Sequence, residues 1–188
     1  MTEPTAAVGA DPGRERGAGL FGRLPADVPL SVAASALRER IYGSIACLAT
    51  LLVITGYGPL DHPWTDVADV AVATGGLWTA SILAEVVAHI GSHGTTPDAR
   101  EVRHITWVSG QIMAASALPL LLLVLAGVRV LPTATALWSG VWVLVAEMGV
   151  FAFFAVRRTT LSNWRKTVLI ASLVALGLLV VLLKTLAH

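Results

Sequence analysis

Three ionisable side chains recur at four-residue spacing in the apolar stretch from Thr74 to His93, which reads TGGLWTASILAEVVAHIGSH. They are Glu85, His89 and His93, and residues four apart lie on the same face of an α-helix. Imidazole and carboxylate groups bind protons, small cations or transition metals. Because an ionisable residue in lipid costs about 2.5–3.5 kcal/mol on insertion scales, this face must contact other helices, water or an ion.

Two further apolar stretches carry polar side chains at a similar depth. At 1.5 Å per helical residue, Glu85 lies about 12 Å from the C-terminal end of its stretch, with His89 one turn shallower. Gln111 lies about 12 Å from the basic segment before its own stretch, and Glu147 lies about 15 Å from the basic segment after its stretch. The sequence therefore predicts one intramembrane layer formed by Glu85, His89, Gln111 and Glu147.

This layer has three interpretations. It could pass or sense protons or small cations, with protonation of His89 near neutral pH as the switch. It could instead fix helix register in a non-catalytic membrane scaffold or subunit, with Glu85 hydrogen-bonded to Gln111 and Glu147 paired with His89. The third interpretation is a metal-binding membrane enzyme, whose transition-metal ligands would be Glu85, His89, His93 and His104.

Sequence motifs of the common enzyme classes are absent. The chain contains no HExxH, GxxxxGK[ST], GxSxG or CxxC pattern. Its single cysteine, Cys47, excludes an intramolecular disulfide, and the longest polar segment between apolar stretches, 91–103, is too short for a catalytic domain. The sequence therefore favours a protein that is not an enzyme and has no cofactor, unless the four candidate ligands bind a metal.

The composition is that of a membrane protein. Of the 188 residues, 55% are hydrophobic and 13% are charged, and the mean hydropathy is +0.74. Soluble domains have about 25% charged residues. Nucleic-acid binding usually requires a clustered basic face, so the net charge of +1 argues against it, and the lipid bilayer is the expected partner.

Five stretches are long and apolar enough to cross a bilayer, which takes about 20 residues of helix. They are 41–58, 67–90, 105–128, 134–156 and 167–183. We therefore predict an all-α integral membrane bundle of five transmembrane helices over 31–188. The first stretch is short and contains Gly43, Gly56 and Gly58, so four spans are the alternative. Residues 1–30 are rich in Gly, Ala, Pro and charge, which predicts a disordered tail.

Basic residues alternate between the two sides of these spans. The chain has 13 Lys and Arg residues. All but Arg129 and Lys184 lie in the tail, in the second and fourth loops, or at the helix ends beside these segments. Basic residues favour the cytoplasmic side of a membrane. The bias predicts a cytoplasmic N-terminus and tail, with the C-terminus outside.

Small residues recur at four-residue spacing on three of the predicted helices. The pairs are Gly43 with Cys47, Ala136 with Gly140, and Ala171 with Ala175. Such pairs allow two helices to approach closely in lipid, so these positions are candidates for helix–helix contacts.

Two short segments carry a resemblance to known sequences. They are RIYGS at 40–44 and, in the second span, AEVVAH at 84–89. With these segments and its Ala-, Val- and Arg-rich composition, the chain resembles small uncharacterised polytopic membrane proteins of actinobacterial type. The resemblance implies a multi-pass protein of the bacterial plasma (inner) membrane and assigns no activity.

Five helices enclose little space, so a pore would require a homo-oligomer.

Overall fold

The computed structural model describes residues 30–58, 62–157, 159 and 162–186. This part of the chain forms five helices: α1 (Leu30–Tyr57), α2 (Pro63–His93), α3 (Ala99–Gly127), α4 (Thr133–Val156) and α5 (Asn163–Leu186). Each helix is long and apolar enough to cross a membrane, which confirms the predicted five-helix fold. The predicted tail, 1–30, lies outside the described residues except for Leu30, where α1 begins.

Helix α1 is the centre of the bundle. It contacts all four other helices, and each of the remaining helices also packs against its neighbour in sequence. The core is aliphatic and includes Leu48 and Leu51 of α1, Leu123 of α3, and Leu137 and Leu144 of α4. Helices α2 and α5 bury little of their most apolar segments, so their outer faces are available to lipid.

Successive helices run in opposite directions, because the sequence between them is short. We call one end of the bundle the basic end; it contains the first turns of α1, α3 and α5 and the last turns of α2 and α4. The opposite, acidic end contains Asp66 and Asp69 in the first two turns of α2. These names describe the two ends without assigning either to a side of the membrane.

The turn between α2 and α3 is fixed by helix caps. Gly94 ends α2 in the left-handed conformation, with φ of 69°, which costs glycine little because it has no Cβ. Asp98 then caps α3: its Oδ1 accepts a hydrogen bond from Glu101 N at 2.8 Å, and Glu101 Oε2 accepts one from Asp98 N at 3.0 Å. This capping box places Glu101 beside the end of α2.

Gly43 lies at a close contact between α1 and α3. A β-carbon at this position would lie 2.7 Å from Ile112 Cα and 2.8 Å from Ile112 O. Of the predicted small-residue pairs, Gly43 and Cys47 are buried, as are Ala136 and Gly140, whereas Ala171 and Ala175 are exposed. The first two pairs therefore lie in helix contacts, and the third faces outward.

We expect Gly43→Ala to lower the stability of the folded protein by about 1–3 kcal/mol, the range for overpacking a close contact. The matched control is Gly76→Ala, because nothing lies within 4 Å of a β-carbon at the exposed Gly76; this change should not destabilise the protein and should add up to about 1 kcal/mol through helix propensity. Thermal unfolding in detergent measures both. Equal stability of the two variants would contradict the close α1–α3 contact.

Candidate functional site

The polar residues predicted to form one layer are divided between two sites. Glu147 and Gln111 both contact Arg40 of α1, whereas Glu85 lines a cavity between α1, α2 and α3. His89 contacts Glu101 at the basic end. The predicted pairing of Glu147 with His89 is therefore wrong, because an arginine of the predicted cytoplasmic segment reaches Glu147 instead. The hydrogen bond expected between Gln111 and Glu85 is likewise replaced by one from Arg40.

The first site, which we call the Arg40 cluster, consists of Arg40, Gln111, Glu147 and Phe151. Arg40 donates two hydrogen bonds to Glu147 Oε1, from Nη2 at 2.7 Å and from Nε at 3.0 Å. Its Nη1 also donates to Gln111 Oε1 at 3.4 Å, and its guanidinium carbon lies 4.4 Å from the centre of the Phe151 ring. Such a charge-assisted pair with a cation–π contact joins α1, α3 and α4.

The ion pair between Arg40 and Glu147 is largely buried. The side chains of Arg40 and Glu147 are 26% and 10% exposed, so neither charge is fully hydrated. Glu147 Oε2 is buried and has no hydrogen-bond partner among the described residues. Because buried polar atoms normally have a partner, that oxygen has the capacity to bind a water molecule or a proton.

The second site, the Glu39 network, consists of Arg38, Glu39, Ser81 and Ser109. Arg38 donates to Glu39 Oε1 from Nη2 at 3.1 Å, and Ser81 Oγ donates to Glu39 Oε2 at 3.0 Å. The Ser81 and Ser109 hydroxyl oxygens lie 3.0 Å apart, within hydrogen-bond distance. The Glu39 side chain is 9% exposed. The nearly buried Glu39 carboxylate of α1 is therefore bonded directly to α2, and the Ser81 hydroxyl links it to α3.

Sequence reasoning missed both Glu39 and Arg40, because they were read as part of the charged segment before the first span. On a helix with 3.6 residues per turn, neighbouring residues point about 100° apart. Glu39 therefore faces the α2–α3 side of α1, and Arg40 faces the α3–α4 side. The sequence feature that could have identified them is the charged triplet Arg38–Glu39–Arg40, which directly precedes the apolar segment. At this position long side chains can extend into the bundle.

A small cavity of about 40 Å³ adjoins the Glu39 network. A water molecule needs about 10–15 Å³ of such space together with polar partners, so the cavity has room for water. Its lining joins the carboxylates of two helices with an imidazole and three hydroxyls. The lining residues are Ser35, Arg38, Glu39, Ser81, Glu85, His104, Ile105, Val108 and Ser109.

A larger recess of about 240 Å³ lies at the basic end and shares Glu85, His104 and Ile105 with the small cavity. His89 Nε2 lies 3.4 Å from Glu101 Oε2, an ion pair when the imidazole is protonated. The rings of His89 and His93 stack with their centres 4.5 Å apart. The imidazoles that the sequence singled out therefore line a recess next to the Glu39 network, and Glu85 and His104 are the ionisable residues that border both.

Polar side chains continue from the Glu39 network towards the acidic end. Ser116 Oγ donates to Thr74 Oγ1 at 3.5 Å, and both residues are fully buried. Between them and Ser81 lies Trp78, whose buried Nε1 has no hydrogen-bond partner among the described residues. We call Glu39, Thr74, Trp78, Ser81, Ser109 and Ser116 together the polar seam.

The acidic end has a recess of its own, of about 260 Å³. Asp66, Asp69 and His62 are among its lining residues. Asp66 is buried, and its Oδ2 has no hydrogen-bond partner in the described part of the chain. Val70, also fully buried, lies one turn from both Asp66 and Thr74 and separates this recess from the polar seam.

The four predicted metal ligands do not form a ligand set. Glu85, His89, His93 and His104 all line the basic-end recess, but within 30–58, 62–157, 159 and 162–186 no three His, Cys, Asp or Glu side chains are placed to hold a metal ion. His89 and His93 stack face to face, and His93 Nδ1 lies 2.8 Å from Ser92 Oγ. The two imidazoles therefore contact each other and the Ser92 hydroxyl instead of converging on one point.

Comparisons with known proteins assign no relatives. No protein-family model, curated protein or solved structure matches the chain. Inference about function therefore rests on the two sites themselves.

We expect Arg40→Met to destabilise the protein by about 3 kcal/mol, the lower end of the range for breaking a buried ion pair, because Glu147 would keep a charge without a partner. Arg40→Met combined with Glu147→Leu should recover most of this loss. Arg100→Met, at an exposed position, is the matched control and should stay within about 0.5 kcal/mol. Thermal unfolding of the wild type, Glu147→Leu alone and these three variants measures the coupling, and additive effects of the Arg40 and Glu147 changes would contradict it.

Proposed function

We propose that this multi-pass membrane protein passes or senses protons or small cations through the polar seam between α1, α2 and α3. The observation that carries the proposal is the buried Glu39 carboxylate, which accepts a hydrogen bond from Ser81 and adjoins the cavity shared with Glu85 and His104. Carboxylate, hydroxyl and imidazole groups can each accept or hand on a proton. Ionisable groups inside membrane helices are costly and often belong to ion or proton pathways.

The length of the polar track supports the same proposal. Along α2, Asp66 and Glu85 are about 28 Å apart at 1.5 Å per residue, close to the roughly 30 Å thickness of the hydrocarbon core. A recess with carboxylate and imidazole side chains lies near Glu85, and another lies at Asp66, which buried Val70 separates from Thr74. A pathway across the membrane needs such polar groups at both ends and between them.

The Arg40 cluster favours a second candidate, a non-catalytic scaffold or subunit. Its ion pair connects α4 to α1, and its hydrogen bond to Gln111 connects α3, which is sufficient to fix helix register without any transport. Under this alternative the Glu39 network would have the same structural task on the other side of α1. The two candidates differ in whether removing the Glu39 carboxylate changes ion flux or only stability.

A third candidate, a metal-binding membrane enzyme, has less support. The placement of His89, His93 and His104 in one recess supplies donors of the right type, yet their side chains are not arranged around a common point among the described residues. We therefore place the proposed activity in the polar seam and assign no cofactor.

We further propose that the protein lies in a bacterial plasma membrane with the basic end in the cytoplasm. The resemblance of its RIYGS and AEVVAH segments to actinobacterial membrane proteins supports the location. Arg40 lies inside the bundle and is therefore left out of the count of loop charges. The other basic residues at the basic end still outnumber Arg129 and Lys184 at the acidic end. This bias supports a cytoplasmic basic end. A homo-oligomer remains part of the proposal for any wider pore.

Proteoliposomes that contain the purified protein should show a proton or cation flux that Glu39→Gln and Ser81→Ala each reduce by at least about tenfold, equivalent to about 1.4 kcal/mol on the transfer barrier. The reason is that each change removes one partner of the hydrogen bond between the buried Glu39 carboxylate and the Ser81 hydroxyl. A pH-sensitive dye inside the vesicles and uptake of radioactive sodium or rubidium measure the flux.

Matched controls are Glu147→Gln, in the Arg40 cluster, and Ser172→Ala, an exposed serine of α5 whose hydroxyl bonds only to its own helix. Both should keep the wild-type flux per reconstituted protein. If Glu39→Gln and Ser81→Ala leave the flux unchanged while lowering thermal stability, the scaffold candidate is favoured and passage through the seam is excluded.

The orientation predicts which loops a membrane-impermeant thiol reagent can reach in intact cells. In a background with Cys47→Ser, a cysteine introduced by Val130→Cys should be labelled from outside, because it lies between α3 and α4 at the acidic end. A cysteine introduced by Thr96→Cys, between α2 and α3, should be labelled only after the cells are permeabilised. The reverse pattern would place the basic end outside.

A further inference from the structure

We infer that the species handled by the polar seam is the proton, and that Glu39 is the residue that holds it. This inference rests on the proposed function and narrows it, because the seam as proposed could serve either protons or small cations. Three features of the molecule support the proton: the width of the seam, the cavity beside Glu39 and the groups that face this carboxylate.

The seam is too narrow for a metal cation. Ser81 Oγ lies 3.0 Å from both Glu39 Oε2 and Ser109 Oγ, so these oxygens are in direct hydrogen-bond contact with no ion-sized gap between them. Ser109 is nearly completely buried, and Thr74 and Ser116 are completely buried. A dehydrated sodium or potassium ion needs a shell of oxygen ligands to replace its water, whereas a proton needs only a donor and an acceptor in contact.

The cavity beside Glu39 supplies an entrance for protons from the basic end. Its volume of about 40 Å³ fits one or a few water molecules but not a hydrated cation with its full shell. Glu85 and His104 line both this cavity and the open recess at the basic end. Water in the cavity would therefore connect Glu39 to two side chains that exchange protons with the aqueous phase.

The groups that face Glu39 come from three helices. Arg38, on the same helix, donates to Oε1, and its own side chain is 55% exposed, so it has room to turn to solvent. From α2 the titratable neighbour at the cavity is Glu85, and from α3 it is His104. The cavity has no lining residue from α4 or α5 among the described part of the chain.

Beyond Ser81 the seam is interrupted. Thr74 lies about 10 Å further along α2, and the only polar group of α2 on this face between them is the indole N–H of Trp78, which is buried without a described partner. Val70 then separates Thr74 from Asp66 at the acidic end. In this conformation a proton entering from the basic end therefore reaches Glu39 and stops there, which makes Glu39 the holding site.

Infrared difference spectroscopy of the protein in lipid, recorded as the pH is lowered, tests the holding site independently of transport. The wild-type protein should gain a protonated-carboxyl band that is missing from Glu39→Gln, shifted in Glu39→Asp and retained in Glu147→Gln. A band that persists in Glu39→Gln, or one that Glu147→Gln removes instead, would overturn the assignment to Glu39. Retained α-helical amide bands establish that each variant is folded.

Flux measurements in the same vesicles separate this inference from the proposed function. With N-methylglucamine as the only other cation, an imposed voltage should still drive proton flux through the wild-type protein. When sodium or rubidium is supplied instead, its uptake should stay at the level of empty vesicles. Sodium or rubidium uptake that Glu39→Gln abolishes would support the seam as a pathway and overturn the proton as its species. A carboxyl band at Glu39 without any flux would support proton sensing, whereas the absence of both band and flux would remove the inference and the proposed function together.

Discussion

Helix α1 enters the bundle with three consecutive charged residues, Arg38, Glu39 and Arg40, and the rest of the structure depends on how the last two are sheltered from lipid. A charge in hydrocarbon requires a partner or water. Because neighbouring helical residues point in different directions, one partner cannot serve both side chains. Glu39 bonds to Arg38 of its own helix and to Ser81 of α2, whereas Arg40 bonds to α3 and α4, which makes α1 the helix around which the others are arranged.

This division gives the two polar sites different properties. In the Arg40 cluster, opposite charges meet directly and a ring covers the guanidinium, so the charges neutralise one another. In the Glu39 network, the partner arginine is half exposed and the remaining contacts are hydroxyls beside a cavity. These partners have more freedom to rearrange than a buried ion pair, because they are exposed or border a cavity. The proposed proton chemistry is therefore assigned to the α2–α3 side of α1, and the ion pair on the α4 side connects the helices.

Much of the fold follows from the sequence, because length and hydropathy determine which segments span a bilayer. The predicted spans agree with the helices to within a few residues at most ends, except that α1 begins at Leu30, well before its predicted span. The face of α2 that carries Thr74, Trp78, Ser81, Glu85 and His89 also follows from four- and three-residue spacing. The pairing of these residues does not follow, because spacing along one helix says nothing about which long side chain of another helix reaches it. The charge of Arg40 favours the aqueous side, whereas in the structure its side chain bonds to Gln111 and Glu147.

The central claim is that Glu147 is neutralised by Arg40, which leaves Glu39 as the exchangeable carboxylate. The most direct measurement is the proximity of side-chain nitrogen and carboxyl carbon nuclei, by dipolar-recoupling solid-state NMR on the isotopically labelled protein in lipid, with Glu147→Gln used to assign the signal. The account predicts that the carboxyl carbon of Glu147 is strongly coupled to guanidinium nitrogens and not to imidazole nitrogens. Coupling of Glu147 to a histidine, with Arg40 uncoupled from any carboxylate, would contradict it.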